Sequence, residues 1–186
     1  MLRDMHLKNS SVLFDFSQPN LSCNWQPITD TVMGGHSTAE VMQIHEGVLC
    51  FRGQLHCGAR GGFASIRCAP HRISLHGWHG LLLRVRGDGK RYHLRLRPND
   101  ELDGLSYQAA FQTTAGDWRE YSLLFEEFIP IFRNWKVMGA PPLPLGHIYS
   151  LGFVIADRQS GSFELHVEWI ALFRHEYTGA QSNKVD

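Results

Sequence analysis

The residue types that most often do chemistry are present, but their spacing indicates no particular reaction. Among eleven histidines, His71, His76 and His79 lie close together. A zinc site needs three or four converging ligands, usually Cys or His at characteristic spacing, and no cysteine pair or glutamate lies near this group. His56 and Cys57 are adjacent, so on a strand their side chains would point apart. The sequence therefore predicts neither a metal site nor a catalytic cysteine.

The carboxylates form no catalytic pair either. Glu164 and Glu168 fall four residues apart on one predicted strand, which places them about 13 Å apart at a rise of roughly 3.3 Å per residue. That separation exceeds the one expected of a glycosidase pair. The chain also lacks a Ser-His-Asp elbow, a dinucleotide-binding fingerprint and the protein-kinase motifs. We predict a protein that is not an enzyme and has no cofactor, with an enzyme of unrecognised type as an alternative.

Basic residues are concentrated in the stretch 81–97, where polar and apolar side chains alternate on both sides of a Gly-Asp-Gly-Lys run. Within this run, Asp88 and Gly89 are a preferred central pair for a two-residue hairpin turn. The pattern predicts a β-hairpin that buries Leu81, Leu83, Val85, Tyr92, Leu94 and Leu96. Its other face would hold Arg84, Arg86, Arg91, His93, Arg95 and Arg97.

Such a basic face requires a negative partner, because like charges opposite one another destabilise a sheet. Arginine is a preferred anion binder and also a preferred partner for carboxylates of its own chain. Two interpretations therefore stay open. The face is neutralised by the protein's own Asp30, Asp157, Glu164 or Glu168, or it binds an anionic ligand or an acidic protein. We predict no nucleic-acid binding, because base stacking needs exposed aromatic residues and Tyr92 falls on the core side.

A second motif is the segment 30–37, which reads Asp-Thr-Val-Met-Gly-Gly-His-Ser. One interpretation is a cradle for a phosphate group, but the Lys-Ser/Thr ending of a P-loop is missing. The other is a tight loop in which Gly34 and Gly35 supply backbone angles that other residues avoid. We favour the tight loop.

The composition indicates one globular domain. The chain has 186 residues, 43% of them hydrophobic, and eighteen Lys and Arg balance eighteen Asp and Glu. No global field therefore attracts nucleic acid or membranes. Cys23, Cys50, Cys57 and Cys68 show no Cys-x-x-Cys spacing, so we predict free thiols in a reducing compartment. We find no targeting segment and no run of about 20 apolar residues, and we predict a cytoplasmic protein without a membrane span.

The elements that must position these residues are about ten short strands, separated by turns rich in glycine and proline. No segment has the periodicity of an amphipathic helix. This combination predicts an all-β fold, an antiparallel β-sandwich of the jelly-roll type. We expect a single domain over residues 12–174, with flexible termini at 1–11 and 175–186.

Three segments resemble the complex I intermediate-associated protein family of thirty kilodaltons: residues 30–37 (DTVMGGHS), 62–67 (GFASIR) and 83–89 (LRVRGDG). The resemblance extends from Phe14 to Leu172, with further matching segments at 107–113, 118, 125–133 and 151–161. It implies a galactose-binding-domain-like jelly roll, and the chain resembles a bacterial-type member that stands alone.

The resemblance also implies a function. Mitochondrial members of that family are non-enzymatic factors that help to assemble respiratory NADH:ubiquinone oxidoreductase, so we expect a scaffold whose partners are respiratory-complex subunits or other assembly factors. The alternative is a module that binds a carbohydrate or a small anion, since this jelly roll often contains sugar sites. The candidate binding residues are Asp30, Gly34, Gly35, Ser37, Ser65, Arg67, Arg84, Arg86, Arg95 and Asp157.

If the matching segments meet in space, the loop 30–37 packs across the sheet that contains Arg84 and Arg86. Asp30 would then lie within hydrogen-bonding reach of Arg67, Arg84 or Arg86, because an arginine–carboxylate contact is directional enough to fix a loop.

Overall fold

A computed structural model describes residues 9–18, 24–44, 47–58, 61–68, 73–101, 104–133, 135–174 and 181–182. Within these ranges the chain forms β-strands and two short 3-10 helices, Asp30–Met33 and Phe125–Glu127, and no α-helix. Neither short helix has the length or hydropathy to cross a membrane. Most of the predicted flexible termini lie outside the described residues.

The strands form two sheets of seven strands each, which confirms the predicted all-β sandwich. Sheet A contains β1 (Ser10–Asp15), β3 (Thr38–Ile44), β4 (Val48–Leu55), β6 (Gly80–Arg86), β9 (Trp118–Leu124), β13 (Gly161–Phe173) and β14 (Gln181–Ser182). Sheet B contains β2 (Gln26–Thr29), β5 (Ala64–Cys68), β7 (Arg91–Arg97), β8 (Ser106–Gln112), β10 (Ile129–Phe132), β11 (Trp135–Lys136) and β12 (Ser150–Ile155).

The order of strands places β12 and β13, which come late in the chain, at interior positions of the sheets. Sheet A runs β14-β9-β6-β13-β4-β3, with β1 also paired to β13, and sheet B runs β11-β10-β8-β7-β12-β5-β2. The pairings are antiparallel except for the parallel contact of β14 with β9. Strand β12 therefore lies between β7 and β5, and β13 lies between β6 and β4.

The hydrophobic core lies between the two sheets, where alternate side chains of each strand meet. Phe111 contacts Tyr92 and Phe153 of its own sheet and Tyr121 of sheet A, with ring centroids 5.4–6.2 Å apart. Each fully buried large apolar side chain contributes roughly 1.5–3 kcal/mol. The six inward residues predicted for stretch 81–97 are all buried in this core.

The predicted hairpin over 81–97, however, is wrong. Strand β6 pairs with β13 and β9 in sheet A, whereas β7 pairs with β12 and β8 in sheet B. The turn between β6 and β7 crosses from sheet A to sheet B, and it lies beside the connection from β8 to β9, which crosses back. The two connections are hydrogen-bonded, since the Thr113 N–H donates to the Lys90 carbonyl and the Gly116 N–H donates to the Gly87 carbonyl. The predicted basic face is therefore divided. Arg84 and Arg86 lie on the outer face of sheet A, and the basic residues of β7 lie on the outer face of sheet B.

The prediction of four free thiols also needs correction. Cys50 and Cys57 are free, but Cys68 at the end of β5 is disulfide-bonded. Cys23 lies outside the described residues. The spacing of cysteines in a sequence does not determine which of them pair.

Candidate binding cleft

The outer face of sheet B contains a cleft of about 540 Å³. Its floor is formed by outward residues of β5, β12 and β7, and its walls by the loop that follows β2 and the turn that follows β10. We call it the arginine cleft, because Arg67, Arg95, Arg97 and Arg133 all line it. Among the described residues that line it there is no aspartate or glutamate.

A glycine separates two of these arginines on the floor. Gly152 of β12 is paired with Arg67 of β5 on one side and with Arg95 of β7 on the other. A Cβ atom at position 152 would lie 2.1 Å from the Ile66 carbonyl oxygen, so a side chain does not fit there unless β5 moves. The floor between the two arginines is therefore open.

Arg95 is held in place by its neighbour on β8. Its Nε and Nη2 atoms donate to Oε1 of Gln108 at 3.2 and 2.6 Å. Burial and, to a smaller extent, the charge of Arg97 lower the pKa of Arg95 to about 10. Arg95 thus remains charged at neutral pH, in a position where the positive charge is costly.

Arg67 and Ser150 differ from the other polar residues of the cleft. Ser65 Oγ donates to the Ile28 carbonyl and Ser106 Oγ to the Ile131 carbonyl. The side chain of Arg67, in contrast, makes no hydrogen bond or ion pair with any residue in the described ranges. Ser150 is 1% exposed, and its Oγ has no hydrogen-bond partner. Two polar groups of the cleft are therefore unsatisfied within the described chain.

The loop after β2 forms an apolar wall of the cleft. Val32 and Met33 are 73% and 63% exposed, and both line the cleft. The loop is fixed from beneath by buried Asp30, whose carboxylate accepts from the Ser37 N–H at 2.9 Å and from Ser37 Oγ at 2.8 Å. Gly35 is packed so closely on this carboxylate that a Cβ would lie 2.2 Å from it.

The predicted contact of Asp30 with an arginine is therefore wrong, because Ser37 supplies donors to both carboxylate oxygens within the loop. The loop borders the cleft of sheet B and not the face that contains Arg84. Gly34 has a positive φ of 78°, which supports the interpretation of this motif as a tight loop.

On the outer face of sheet A, arginines are paired with groups of the same sheet. Arg84 contacts Glu168 at 2.5 Å and Glu120 at 3.5 Å. Arg86 donates to Nδ1 of His166 at 2.6 Å, and its guanidinium lies 5.2 Å from the ring centre of Trp118. This face matches the salt-bridged interpretation.

The same face holds a cluster that sequence reasoning missed. Ligand atoms of Cys50, Glu164 and His166 lie within 4.8 Å of one another, a set that could hold a metal ion. Arginine only donates, so His166 Nδ1 accepts from Arg86 and Nε2 bears the proton directed at Glu164. A metal on Nε2 would place the proton on Nδ1, facing Arg86. Burial, and then Glu164, also raise the pKa of Cys50, which disfavours the thiolate that metals bind.

Asp157 lies in the turn after β12, with a positive φ of 58°. Its carboxylate is 2.8 Å from Nε2 of His93 on β7. This hydrogen bond is the main reason that the pKa of Asp157 lies below its ordinary value, with a partial opposing effect of burial. Asp157 therefore pairs with His93 and not with an arginine.

The structure brings some of the predicted site residues together and separates others. Ser65, Arg67 and Arg95 line the arginine cleft, and the loop 30–37 forms one wall. Arg84 and Arg86 lie on the opposite sheet. Sequence reasoning missed Ser150 and Gly152, although the alternation along 150–155 could have placed them on an outer face.

A separate exposed surface lies at the edge of sheet B. Phe132 and Trp135 are cross-strand neighbours at the tip of the hairpin formed by β10 and β11. Together with Met138 they form what we call the apolar edge, and their exposed fractions are 42%, 79% and 83%. The Arg133 guanidinium lies 5.4 Å from the Phe132 ring centre, so the hairpin contributes to both surfaces.

Comparison with known proteins finds a protein family that matches most of the chain. The model of the family described as complex I intermediate-associated protein 30 matches residues 14–167. The chain is 26% identical over 185 residues to the mitochondrial complex I intermediate-associated protein 30 of Drosophila melanogaster. It is 35% identical over 101 residues to the protein of the same name in Mus musculus. These alignments include 88% and 50% of this chain, but only 62% and 30% of the relatives.

Solved structures with similar folds include carbohydrate-binding proteins. The family 11 carbohydrate-binding module of the cellulase Lic26A-Cel5E of Clostridium thermocellum superimposes with a TM-score of 0.67 at 15% identity, covering 89% of this chain and 95% of the module. The agarase AgWH50C gives a TM-score of 0.62 at 13% identity, covering 90% of this chain and 25% of the agarase. Similarity at these identities establishes the fold alone.

Proposed function

Because the chain belongs to the complex I intermediate-associated protein 30 family, we propose that it is a non-catalytic module that binds protein subunits during the assembly of respiratory complex I or a related complex. The names of the relatives support this role for the family. The apolar edge is the surface that we assign to the partner.

The observation that supports this assignment is the exposure of Trp135, which is paired with Phe132 across the hairpin, and of Met138 three residues further along the chain. Aromatic residues, methionine and arginine are enriched in protein interfaces, and tryptophan and arginine are frequent among the residues that dominate binding energy. A hairpin at the end of a sheet also presents backbone groups at an edge, where another chain can dock. A partner subunit would cover this apolar surface.

A non-catalytic role agrees with the chemistry of the cleft. Its described lining has arginine and serine side chains but no aspartate, glutamate or histidine to act as a general base. Arginine and serine side chains on such a surface are suited to binding and positioning a ligand.

The test is affinity purification from native extract with quantitative mass spectrometry. Trp135→Ser should reduce recovery of respiratory-complex subunits roughly tenfold or more, because truncation of a residue that dominates an interface costs about 2 kcal/mol or more. Val12→Ser is the matched control, since Val12 is an exposed apolar residue (44%) on β1, away from the hairpin. It should leave recovery unchanged.

The proposal fails if the wild-type protein enriches no respiratory subunits, or if both variants recover them as well as the wild type does. Circular dichroism of both variants establishes that a loss of recovery is not a loss of fold.

A neutral sugar is less well supported as a ligand. Phe63 is the one aromatic residue among the described residues that line the cleft, and the floor at position 152 is a glycine. A glycan array would test this alternative directly, and we expect no retention of neutral oligosaccharides.

A further inference from the structure

We propose that the arginine cleft is a binding site for a small ligand with an oxyanion group, a carboxylate or a phosphate ester, joined to a short apolar body. This site is distinct from the apolar edge and does not depend on the partner assigned to that edge.

The oxyanion group would lie over Gly152, between two arginines. Neighbouring strands are about 4.8 Å apart, so the backbones at Arg67 and Arg95 flank Gly152 at roughly 9.6 Å from each other. Both arginines are outward residues with long side chains, so their guanidinium groups can approach an oxyanion over Gly152 from opposite sides and donate charge-assisted hydrogen bonds to it. The missing side chain at position 152 leaves the room that this arrangement needs.

Two unsatisfied groups support a ligand at this position. The side chain of Arg67 has no hydrogen-bond or ion-pair partner in the described part of the chain, although it lines the cleft. Ser150 is almost completely buried in the lining, and its Oγ lacks a partner. A buried hydroxyl without a partner is uncommon and calls for an explanation. A bound oxyanion would accept from the guanidinium and from the hydroxyl.

The electrostatics of the floor favour an anion. Arg95 and Arg97 are two residues apart on β7, so their side chains leave the same face, and Arg97 contributes to lowering the pKa of Arg95. No described lining residue is acidic. An anion at Gly152 would offset the repulsion between these guanidinium groups.

The opposite end of the cleft is apolar. Ile28, Val32, Met33, Phe63 and Val154 all line it, and Val32 and Met33 are largely exposed. The volume of about 540 Å³ falls within the range of roughly 300–1,000 Å³ for small-molecule sites. A ligand would therefore extend from the arginines toward an apolar body seated against the loop 30–37.

Isothermal titration calorimetry with four probes tests the class of ligand. Phenyl phosphate and phenylacetate combine an oxyanion with an apolar ring, inorganic phosphate lacks the ring, and benzyl alcohol lacks the charge. We expect one of the two aromatic anions to bind most tightly, inorganic phosphate more weakly and benzyl alcohol not at all. Which aromatic anion binds better distinguishes a phosphate-ester site from a carboxylate site.

Matched variants locate the site. Arg67→Gln should weaken binding of the better anion roughly tenfold to a hundredfold, because a charge-assisted hydrogen bond is lost, and Arg67→Lys should weaken it less. Arg84→Gln, on the opposite sheet, is the control and should leave affinity unchanged. In the wild-type protein, the anion should shift the amide signal of Gly152 in a ¹H–¹⁵N spectrum.

Absence of binding by both aromatic anions, or equal loss in Arg67→Gln and Arg84→Gln, would overturn the proposal, as would an unshifted Gly152 signal. Trp135→Ser should retain the anion, and Arg67→Gln should retain the protein partner. Failure of this proposal is thus separable from failure of the proposed function.

Discussion

Arginines on the outer faces of the two sheets have different surroundings. On sheet A, Arg84 is paired with Glu168 and Glu120, both on strands adjacent to β6. On sheet B, the groups next to Arg67 are a glycine of β12 and the polypeptide backbone of β2. The surroundings of Arg84 are thus a network of ion pairs, whereas the surroundings of Arg67 are part of a concave surface.

The difference arises from the neighbouring strands and not from the arginines themselves. Strands β6 and β7 have almost the same alternation of leucine and arginine. Strand β13 brings glutamates beside β6, whereas β12 brings Ser150, Gly152 and Val154 beside β7. The function of a surface arginine is thus decided by which strand the topology places next to it.

The largest loss of stability is expected from removal of Asp30, which fixes the loop that forms the apolar wall of the cleft. Asp30→Ala removes the acceptor of the Ser37 N–H and Oγ–H in a buried position, which should lower the free energy of unfolding by roughly 2–4 kcal/mol. Urea denaturation measures the change. Asp100→Ala is the control, because Asp100 is exposed in a polar loop, and it should cost less than about 0.5 kcal/mol. Equal stabilities of the two variants would show that Asp30 does not fix the wall.

The second test compares one arginine from each face. Arg84→Gln should lower stability by about 1 kcal/mol, because Glu168, which is 18% exposed, loses its ion-pair partner. Arg67→Gln should leave stability within about 0.5 kcal/mol of the wild type. Denaturation at low and high salt should show the Arg84 effect shrinking as salt screens the pair. The contrast between the faces is lost if both variants unfold alike.

The smallest loss of stability is expected from removal of the Asp157 carboxylate, which is hydrogen-bonded to His93 of β7. The hydrogen bond from His93 lowers the pKa of Asp157 below its ordinary value of 3.8, so the pair stabilises the fold above that pH. The contribution is lost as pH falls through the lowered pKa. Asp157→Asn should therefore be less stable than the wild type near pH 6, by less than about 1 kcal/mol because the carboxylate is partly exposed.

Asparagine tolerates the positive φ at position 157, so this variant removes the charge and keeps the backbone. The stability difference should disappear in acid. A difference that persists unchanged at the lowest pH would mean that the Asp157 charge is not its cause.

The sequence was sufficient for the architecture, because alternation of apolar residues defines which side of a strand is buried. It failed at the turn 87–90, since Leu83 and Leu94 reach the same core whether their strands pair directly or face one another across the sandwich. The residues of this turn are compatible with a hairpin within one sheet and with a connection between the two sheets. The connection between sheets is fixed by hydrogen bonds from the Gly116 and Thr113 N–H groups to the carbonyls of Gly87 and Lys90. These segments are distant in sequence, so the contact could not be predicted.

The candidate site was predicted only in part, again because contacts between distant segments cannot be read from the sequence. Ser65, Arg67 and Arg95 were identified as binding candidates from their types and segments, and the structure places them in one cleft. The pairing of Asp30 with Ser37 was missed because a carboxylate in a loop can be satisfied locally or at a distance. The role of Gly152 in the cleft could not be predicted, because it depends on the two arginines that the sheet places on either side of it.

The positions of β12 and β13 have a consequence for synthesis of the chain. Residues 150–173 supply one interior strand of each sheet, β12 and β13. Strand β4 therefore leaves the ribosome about 100 residues before its neighbour β13. At roughly 5–20 residues per second this interval is on the order of 5–20 s. Until then, pairs such as β3–β4 and β7–β8 have exposed edges and no completed core. Closure of both sheets around the core therefore waits until residues 150–173 have been synthesised.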